Sequence, residues 1–234
     1  MNTFTWKLLD FDTNLFGFKT AKIDEIKTGS VPNLVSDLKK NGIRYATYRV
    51  HSNEISLIHE LENNGFVTVD GYVALKGDMS RASDITDSSI RIAQANDVPF
   101  LKEIASTIFT SSRFYNDPLI PDEKGGEMFS KWIENSIVGT AADEVLVITD
   151  HGDAIGFITI QYSGHIPLVG VHKHHQGKGH AKKLIQAAKK KLKDKEIQNI
   201  QIETQLQNIP AMRSYLSSGF KVVEAFFTLR WSDL

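Results

Sequence analysis

A short apolar run at 166–171 leads into a loop with two glycines, Gly177 and Gly179, and then into an amphipathic helix pattern that reaches Leu192. That order, strand to glycine-bearing loop to helix, leaves few folds open, because it sets a helix N-terminus at the end of a sheet strand. The helix gathers Ala181, Leu184, Ile185, Ala188 and Leu192 on one face, as a helix lying against a sheet requires. Lys182, Lys183, Lys189, Lys190 and Lys191 fall on the other side and read as a solvated face. The glycines let the backbone turn tightly and aim successive N–H groups into one concavity. The first helical turn adds unpaired N–H groups and the positive end of its dipole. Such a concavity suits a diphosphate, although a plain tight turn would use the same glycines.

Around this unit, strand and helix signals mix. Residues 90–93 read as a short strand, and Asp97 can cap a helix carrying Leu101, Ile104, Ala105 and Ile108 at helical spacing. Residues 127–138 read as a second helix, with Trp132 and Ile133 expected in the core. Residues 145–149 and 154–162 flank a His151-Gly152 turn and predict a hairpin. After the long helix come a strand at 199–205, a helix at 210–218 and a last strand pair through Trp231. Strands and helices do not alternate strictly, which predicts an α/β fold of the α+β kind, a mixed sheet flanked by helices.

The segment 76–89 is polar, rich in Ser and Asp, and reads as a linker. It divides the 234 residues into a domain at 1–80, a linker at 81–89 and a domain at 90–234, and a chain of this length can bury two cores. The two parts share a pattern. Gly65-Phe66 and Gly219-Phe220 stand 154 positions apart, and at that separation Val69 matches Val223, Leu75 matches Leu229, Leu38 matches Leu192 and Ile43 matches Ile197. Residues 1–80 therefore read as a partial copy of the C-terminal half. The copy keeps apolar positions and loses polar ones: Leu61 stands opposite Tyr215, Glu54 opposite Asn208, and the glycine-free stretch 23–27 opposite 177–181. A scaffold is expected there rather than a second active site.

Formal net charge is −1 and apolar content 41%, so neither disorder nor bulk nucleic-acid binding is indicated. The apolar runs are far short of the ~20 residues of a membrane span, and no apolar run follows Lys7 to form a signal peptide. A cytoplasmic chain with no membrane or nucleic-acid partner is the expectation. The absence of cysteine removes disulfides, thiolate nucleophiles and Cys-type zinc sites together. His172, His174 and His175 lie close in sequence without a carboxylate among them; they read as a solvated loop, and no metal is expected.

In full, the loop is Gln176-Gly177-Lys178-Gly179-His180-Ala181. It lacks the Lys-Ser/Thr pair of a nucleotide-hydrolysing P-loop, and no spaced acidic residue marks a Rossmann ribose site. As Gln-x-x-Gly-x-Ala it resembles the pyrophosphate loop of the GNAT N-acetyltransferase superfamily. A second string, Asn208-x-x-Ala211-x-x-x-Tyr215-x-x-x-Gly219-Phe220, resembles that superfamily's other signature. Asn208 also suits an N-cap and Pro210 a first helical turn. The seven-residue step to Tyr215 is two turns, which sets both side chains on one face. Each residue alone could simply cap or pack; two motifs in the right order favour a site.

The resemblance implies a GNAT fold and acetyl-CoA as co-substrate. It implies that the backbone of Val169 and Val171 pairs with the pantetheine arm. Gln176, Gly177, Lys178, Gly179, His180 and Ala181 would meet the pyrophosphate, Asn208 would touch CoA, and Tyr215 would be the general acid that protonates the departing thiolate. A phenol, with an ordinary pKa near 10, is protonated at neutral pH and can deliver that proton. Transfer would be direct, in a ternary complex. Shorter strings, Leu15-Phe16-Gly17, Ser112-Arg113-Phe114 and Trp132-Ile133-Glu134-Asn135 followed by Gly139-Thr140, resemble the bacterial dTDP-fucosamine acetyltransferases of surface-polysaccharide synthesis. That likeness covers most of the chain and implies a dTDP-4-amino-4,6-dideoxy sugar acetylated on its 4-amino group. The guanidinium fork of Arg113 would suit the diphosphate of that nucleotide sugar, and a homodimer is a family expectation. Two other readings stay open at this point: a GNAT enzyme acting on a protein N-terminus or another small amine, and an acyl-CoA-binding sensor without catalysis. Intact Asn208 and Tyr215 argue against the sensor.

Overall fold

The computed structural model describes residues 3–81 and 87–234. The chain begins with β1 (Phe4–Leu8), α1 (Asp10–Phe16), β2 (Thr20–Ile26), α2 (Val31–Lys40), β3 (Tyr45–His51), α3 (Ile55–Asn63) and β4 (Val67–Gly77). Next come β5 (Ile90–Ile92), α4 (Val98–Ile108), α5 (Arg113–Asn116), α6 (Asp122–Ile137), β6 (Glu144–Asp150) and β7 (Asp153–Ile160). The last third is β8 (His165–Ile166), β9 (Val169–Val171), α7 (His180–Asp194), β10 (Ile200–Gln205), α8 (Ile209–Ser217) and β11 (Phe220–Ser232). Parallel pairs (β2 with β3, β8 with β10) and antiparallel pairs (β1 with β2, β6 with β7) coexist. The expected mixed α/β fold is what forms.

Packing divides the chain into two compact units, and neither is a continuous segment. The first holds Met1–Tyr72, Ser112–Lys124 and Glu224–Leu234; the second holds Val73–Ser111 and Gly125–Val223. The sequence boundary at 81–89 is thus not where the packing divides. The cause is β11, which is one thirteen-residue strand rather than the expected strand pair. Its last seven residues pair antiparallel with β3, from Phe226 opposite His51 to Ser232 opposite Tyr45. Nor is 76–89 all linker: β4 continues to Gly77 and a single 3-10 turn covers Met79–Arg81, while residues 82–86 lie outside the described part of the chain.

In the first unit the strand order is β1-β2-β3-β11, with β4 beyond β11. Because β2 and β3 are parallel, the connection between them must cross over a sheet face, and α2 does so. Val31, Leu34 and Leu38 of α2 and Leu57, Ile58 and Leu61 of α3 form two helical stripes, which close on Ala21, Ile23, Ala46, Val50, Leu229 and Trp231 in one buried core.

The second unit contains the antiparallel sheet β5-β6-β7-β9. Its β6–β7 hairpin turns on His151 and Gly152, both at positive φ (50° and 97°), as a two-residue hairpin loop requires. The run 166–171, expected to be one strand, is two. Pro167 has no N–H to give a ladder and interrupts it. Before Pro167, Ile166 pairs with Ile202 of β10; after it, β9 pairs with β7. The chain therefore changes sheets between Ile166 and Val169. Behind β9, α7 buries Leu184, Ile185, Ala188 and Leu192 as expected. It also buries Lys189, which the sequence pattern had put in water. The Lys189 Nζ donates to the carbonyls of Ser218 (2.8 Å) and Asp78 (3.0 Å) and sits 5.0 Å above the Phe220 ring. Among the described residues, no helix is long and apolar enough to cross a membrane.

Candidate active site

The sheet change at Pro167 makes β9 the last strand of its sheet. Two bonds fix its inner side: His172 N to Ile155 O at 2.8 Å and Thr159 N to Leu168 O at 2.9 Å. Antiparallel partners alternate between bonded and non-bonded positions. In this register Leu168, Gly170 and His172 direct their backbone groups to β7, and Val169 and Val171 direct theirs to the open edge. The carbonyl of Val171 accepts from Gln176 Nε2 at 3.0 Å, which ties the following loop to the strand end. Gln176 thus has a structural duty that its motif position alone did not reveal.

Gly177 and Gly179 both adopt left-handed conformations, with φ of 76° and 81°. A Cβ at either would meet no heavy atom within 4 Å, so the loop is open where a side chain would otherwise stand. Gly179 is the N-cap of α7 and brings no side chain to satisfy the first-turn N–H groups, and that turn holds no acidic residue. The positive end of the helix dipole is therefore left uncompensated. Lys178 and Lys182 are exposed beside it, and Lys183 pairs with Asp87 at 3.0 Å. His180 opens the helix, and its Nδ1 is buried without a hydrogen-bond partner. Desolvation, then the neighbouring charges of Lys183, His175 and Lys178, hold its pKa below the ordinary imidazole value. The rings of His172, His174 and His175 cluster, with centroids 5.2 and 5.9 Å from His172. Contrary to the sequence reading, a carboxylate does neighbour them: Asp150 Oδ2 lies 3.8 Å from His175 Nδ1. Among the described residues no three ligand-type side chains converge as a metal site would need.

On α8, Asn208 is the N-cap and its Oδ1 accepts from Ala211 N at 3.2 Å, with Pro210 in the first turn. Two turns on, Tyr215 is 6% exposed and its ring packs 6.1 Å from that of Phe220. Burial pushes its pKa above the ordinary phenol value. The hydroxyl has no hydrogen bond among the described residues, and the raised pKa keeps its proton on, so its donor capacity stays available. Val169, Val171, the loop from Gln176 to Ala181, Asn208 and Tyr215 all belong to the second unit.

Arg113 belongs to the first unit. Ser112 caps its short helix by accepting from Phe114 N at 3.2 Å. The Arg113 backbone N–H donates to Asp70 Oδ2 at 3.2 Å, and its guanidinium lies 4.1 Å over the Phe114 ring. Its one side-chain hydrogen bond among the described residues is a long one, 3.4 Å to the Tyr45 hydroxyl. Tyr45, fully buried, donates to Asp117 Oδ2 at 2.9 Å, and Arg230 Nε lies 3.3 Å from the same carboxylate. Burial is the main reason the Tyr45 pKa is raised. Burial likewise raises Asp12, against the opposing charge of Arg113. Phe16 stands 6.1 Å from Phe114, 6.5 Å from Tyr45 and 5.9 Å from Phe18. The strings Leu15-Phe16-Gly17 and Ser112-Arg113-Phe114, far apart in sequence, thus meet in one aromatic and charged cluster. Sequence reasoning missed Asp12, Tyr45, Asp70 and Asp117, because no motif links them and Tyr45 stands in a strand, Tyr45–His51, that carries other polar residues.

Residues 121–233 match the family model described as acetyltransferase (GNAT) domain. The dTDP-fucosamine acetyltransferase of Escherichia coli O6:H1 is 26% identical over 223 residues, which covers 94% of this chain and 95% of that protein. The spore coat polysaccharide biosynthesis protein SpsD of Bacillus subtilis is 26% identical over 137 residues, 57% of this chain and 47% of that protein. Among solved structures, a GCN5-related N-acetyltransferase from Sphaerobacter thermophilus superposes with a TM-score of 0.65 at 12% identity, covering 98% of this chain and 76% of that one. That likeness speaks for the fold alone.

Proposed function

Because the chain is an acetyltransferase with a GNAT domain at residues 121–233, we propose that it moves acetyl from acetyl-CoA to the 4-amino group of a dTDP-4-amino-4,6-dideoxy sugar. Transfer is direct, in a ternary complex. The observation that carries the substrate assignment is the end-to-end match to the Escherichia coli dTDP-fucosamine acetyltransferase, which spans 94% of this chain rather than the GNAT domain alone. The cluster that unites Phe16, Phe114 and Arg113 supports it, since a guanidinium with unused donors suits a nucleotide-sugar diphosphate.

The second unit's residues fit acetyl-CoA in kind. Free edge N–H groups at Val169 and Val171 match an amide-bearing arm, as an added strand would be matched. The loop Gln176–Gly177–Lys178–Gly179–His180–Ala181 and the open start of α7 suit a pyrophosphate. Asn208 keeps an amide N–H₂ for the cofactor while its oxygen caps α8. The acceptor amine, in its neutral form, attacks the thioester carbonyl, and the open-edge N–H at Val171 stabilises the oxyanion. The carbon–sulfur bond then breaks, Tyr215 gives its proton to the departing thiolate, the acceptor nitrogen releases its extra proton to solvent water, and water returns a proton to Tyr215.

Thiol release from acetyl-CoA is the test, with dTDP-fucosamine, its C4 epimer and a peptide mixture as separate acceptors. Release with one sugar nucleotide and not with peptides is the expected outcome. Release with peptides alone would replace the sugar by a protein N-terminus. Acetyl-CoA binding without turnover on any acceptor would remove the substrate assignment.

A further inference from the structure

Lys189 is a buried cation that the proposed chemistry leaves unused, and the internal copy shows a helix pair built without one. At the separation of 154, Lys189 of α7 matches Val35 of α2, Tyr215 matches Leu61 and Phe220 matches Phe66. Leu61 and Phe66 belong to one apolar cluster, against which Val35 packs. The matching helices α3 and α8 coincide end to end at this separation, yet they are held by different means. α3 buries Leu57, Ile58 and Leu61, whereas α8 buries Tyr215 alone among the described residues. A nine-residue helix is marginal by itself, and one buried side chain gives it little grip on its neighbours.

Lys189 supplies a hold at the end of α8. Its Nζ donates at 2.8 Å to the carbonyl of Ser218, the C-cap of that helix, where the dipole is negative. It also donates at 3.0 Å to the carbonyl of Asp78, one residue past β4. Asp78 N donates in turn to Gly219 O at 3.1 Å, and Ser218 N donates back to Tyr215 O at 3.0 Å. The turn that follows Tyr215 is thus tied to α7 and to the end of β4. A second route runs through side chains. The ammonium stands 5.0 Å from the centre of the Phe220 ring, and that ring lies 6.1 Å from the ring of Tyr215. Phe220 is 2% exposed and confined, since a Cβ at Gly77 would come within 2.9 Å of its ring. Burial, and no neighbouring charge, raises the Tyr215 pKa, so Lys189 bears on where the phenol stands rather than on its acidity.

We propose that Lys189 is a positioning residue for Tyr215, holding the phenol in place through the Ser218 carbonyl and the Phe220 ring. Its effect on transfer rests on Tyr215 as the acid, as proposed above; the hold on the side chain does not. Lys189→Met keeps the length of the side chain and removes its donors. It should lower kcat about 10-fold, with acetyl-CoA affinity by calorimetry within about 2-fold of wild type. In a Tyr215→Phe background the same substitution should leave kcat unchanged, because no acid remains to be misplaced. An equal loss in both backgrounds reduces Lys189 to general support and overturns the proposal, as does an unchanged kcat when Tyr215 is present. NMR of ¹³C-labelled tyrosine reads the hold without turnover. The Tyr215 ring signal, identified by its absence from Tyr215→Phe, should shift and broaden in Lys189→Met while that of Tyr162 stays in place. An unmoved Tyr215 signal overturns the hold. If Lys189→Met does not fold, Phe220→Leu leaves the ammonium on its two carbonyls and removes the ring between; it must give the same pattern in kcat and in the Tyr215 signal, and no effect overturns the proposal. If no acceptor turns over, or if Tyr215→Phe leaves kcat unaltered, the proposed function or the acid assignment falls, and the tyrosine signal alone decides the hold.

Discussion

Tyr215 joins burial, a raised pKa and an unused O–H donor on one side chain. Each follows from its place two turns after the cap residue Asn208, on the face of α8 that packs inward. With the pKa above the ordinary phenol value, Tyr215 causes no loss of its acid form below about pH 10. Tyr215→Phe should therefore lower kcat by about 100-fold or more, with acetyl-CoA affinity nearly unchanged. Steady-state kinetics with parallel calorimetry checks this, and an unaltered kcat would remove Tyr215 from the chemistry. His180 yields a second prediction, one of pH dependence. Its pKa is depressed, so the free protein keeps it neutral at neutral pH, and an anion at the loop favours the imidazolium. Binding then takes up a proton, and acetyl-CoA affinity rises as pH falls from about 8 to about 6. Binding enthalpies in buffers of different ionisation heat should differ for the wild type and coincide for His180→Gln; equal heats in the wild type would rule out the linkage. These two residues were legible in sequence because their motifs are local. Tyr45 and Asp117 were not, since they bond across 72 positions and each alone looks like an ordinary strand or loop residue.

Elements were legible wherever one period ran unbroken. The 3.6-residue pattern placed α7 well, and the hairpin at His151-Gly152 declared itself by its turn. Two failures share a cause: periodicity registers that a residue is polar or apolar, not which partner waits for it. Pro167 splits a continuous apolar run because the two halves have different neighbours, β10 and β7. Lys189 belongs to a lysine-rich run, yet two backbone carbonyls sit within 3.0 Å of its Nζ. The helix face can thus be tested residue by residue. Lys189→Met keeps most of the apolar contact over Phe220 and removes the donor, which leaves two carbonyls short of a partner at about 1–3 kcal/mol each. Lys182→Ala, on the exposed face, should stay within about 0.5 kcal/mol. Urea unfolding of the two variants measures the contrast; equal midpoints would mean that Lys189 is as solvated as its neighbours.

For the whole molecule, the order of the sequence and the order of packing part company. Reading along the chain suggests one domain after another, but the last eleven residues, Glu224–Leu234, belong to the first unit. No local pattern announces this, because the strand signal of β11 is the same whichever sheet receives it. The consequence is a dependence that a sequential arrangement would not have. β11 lies between β3 and β4 in the strand order, so the first unit lacks an interior strand until the C-terminus has been made. Leu229 and Trp231 are 0% and 3% exposed in its core. Burying side chains of this size is worth roughly 1.5–3 kcal/mol each, and the loss of seven ladder positions adds to that, against a typical total of about 5–15 kcal/mol. A chain ending at residue 223 should therefore lose the cooperative fold of its first unit. Hydrogen exchange would show it as loss of protection at Tyr45–His51 and in α2, while residues of β6, β7 and α7 stay protected and acetyl-CoA still binds. If residues 1–80 formed a self-sufficient domain, protection in β3 and α2 would survive the truncation. That outcome would return the domain boundary to the polar segment where the sequence alone had placed it.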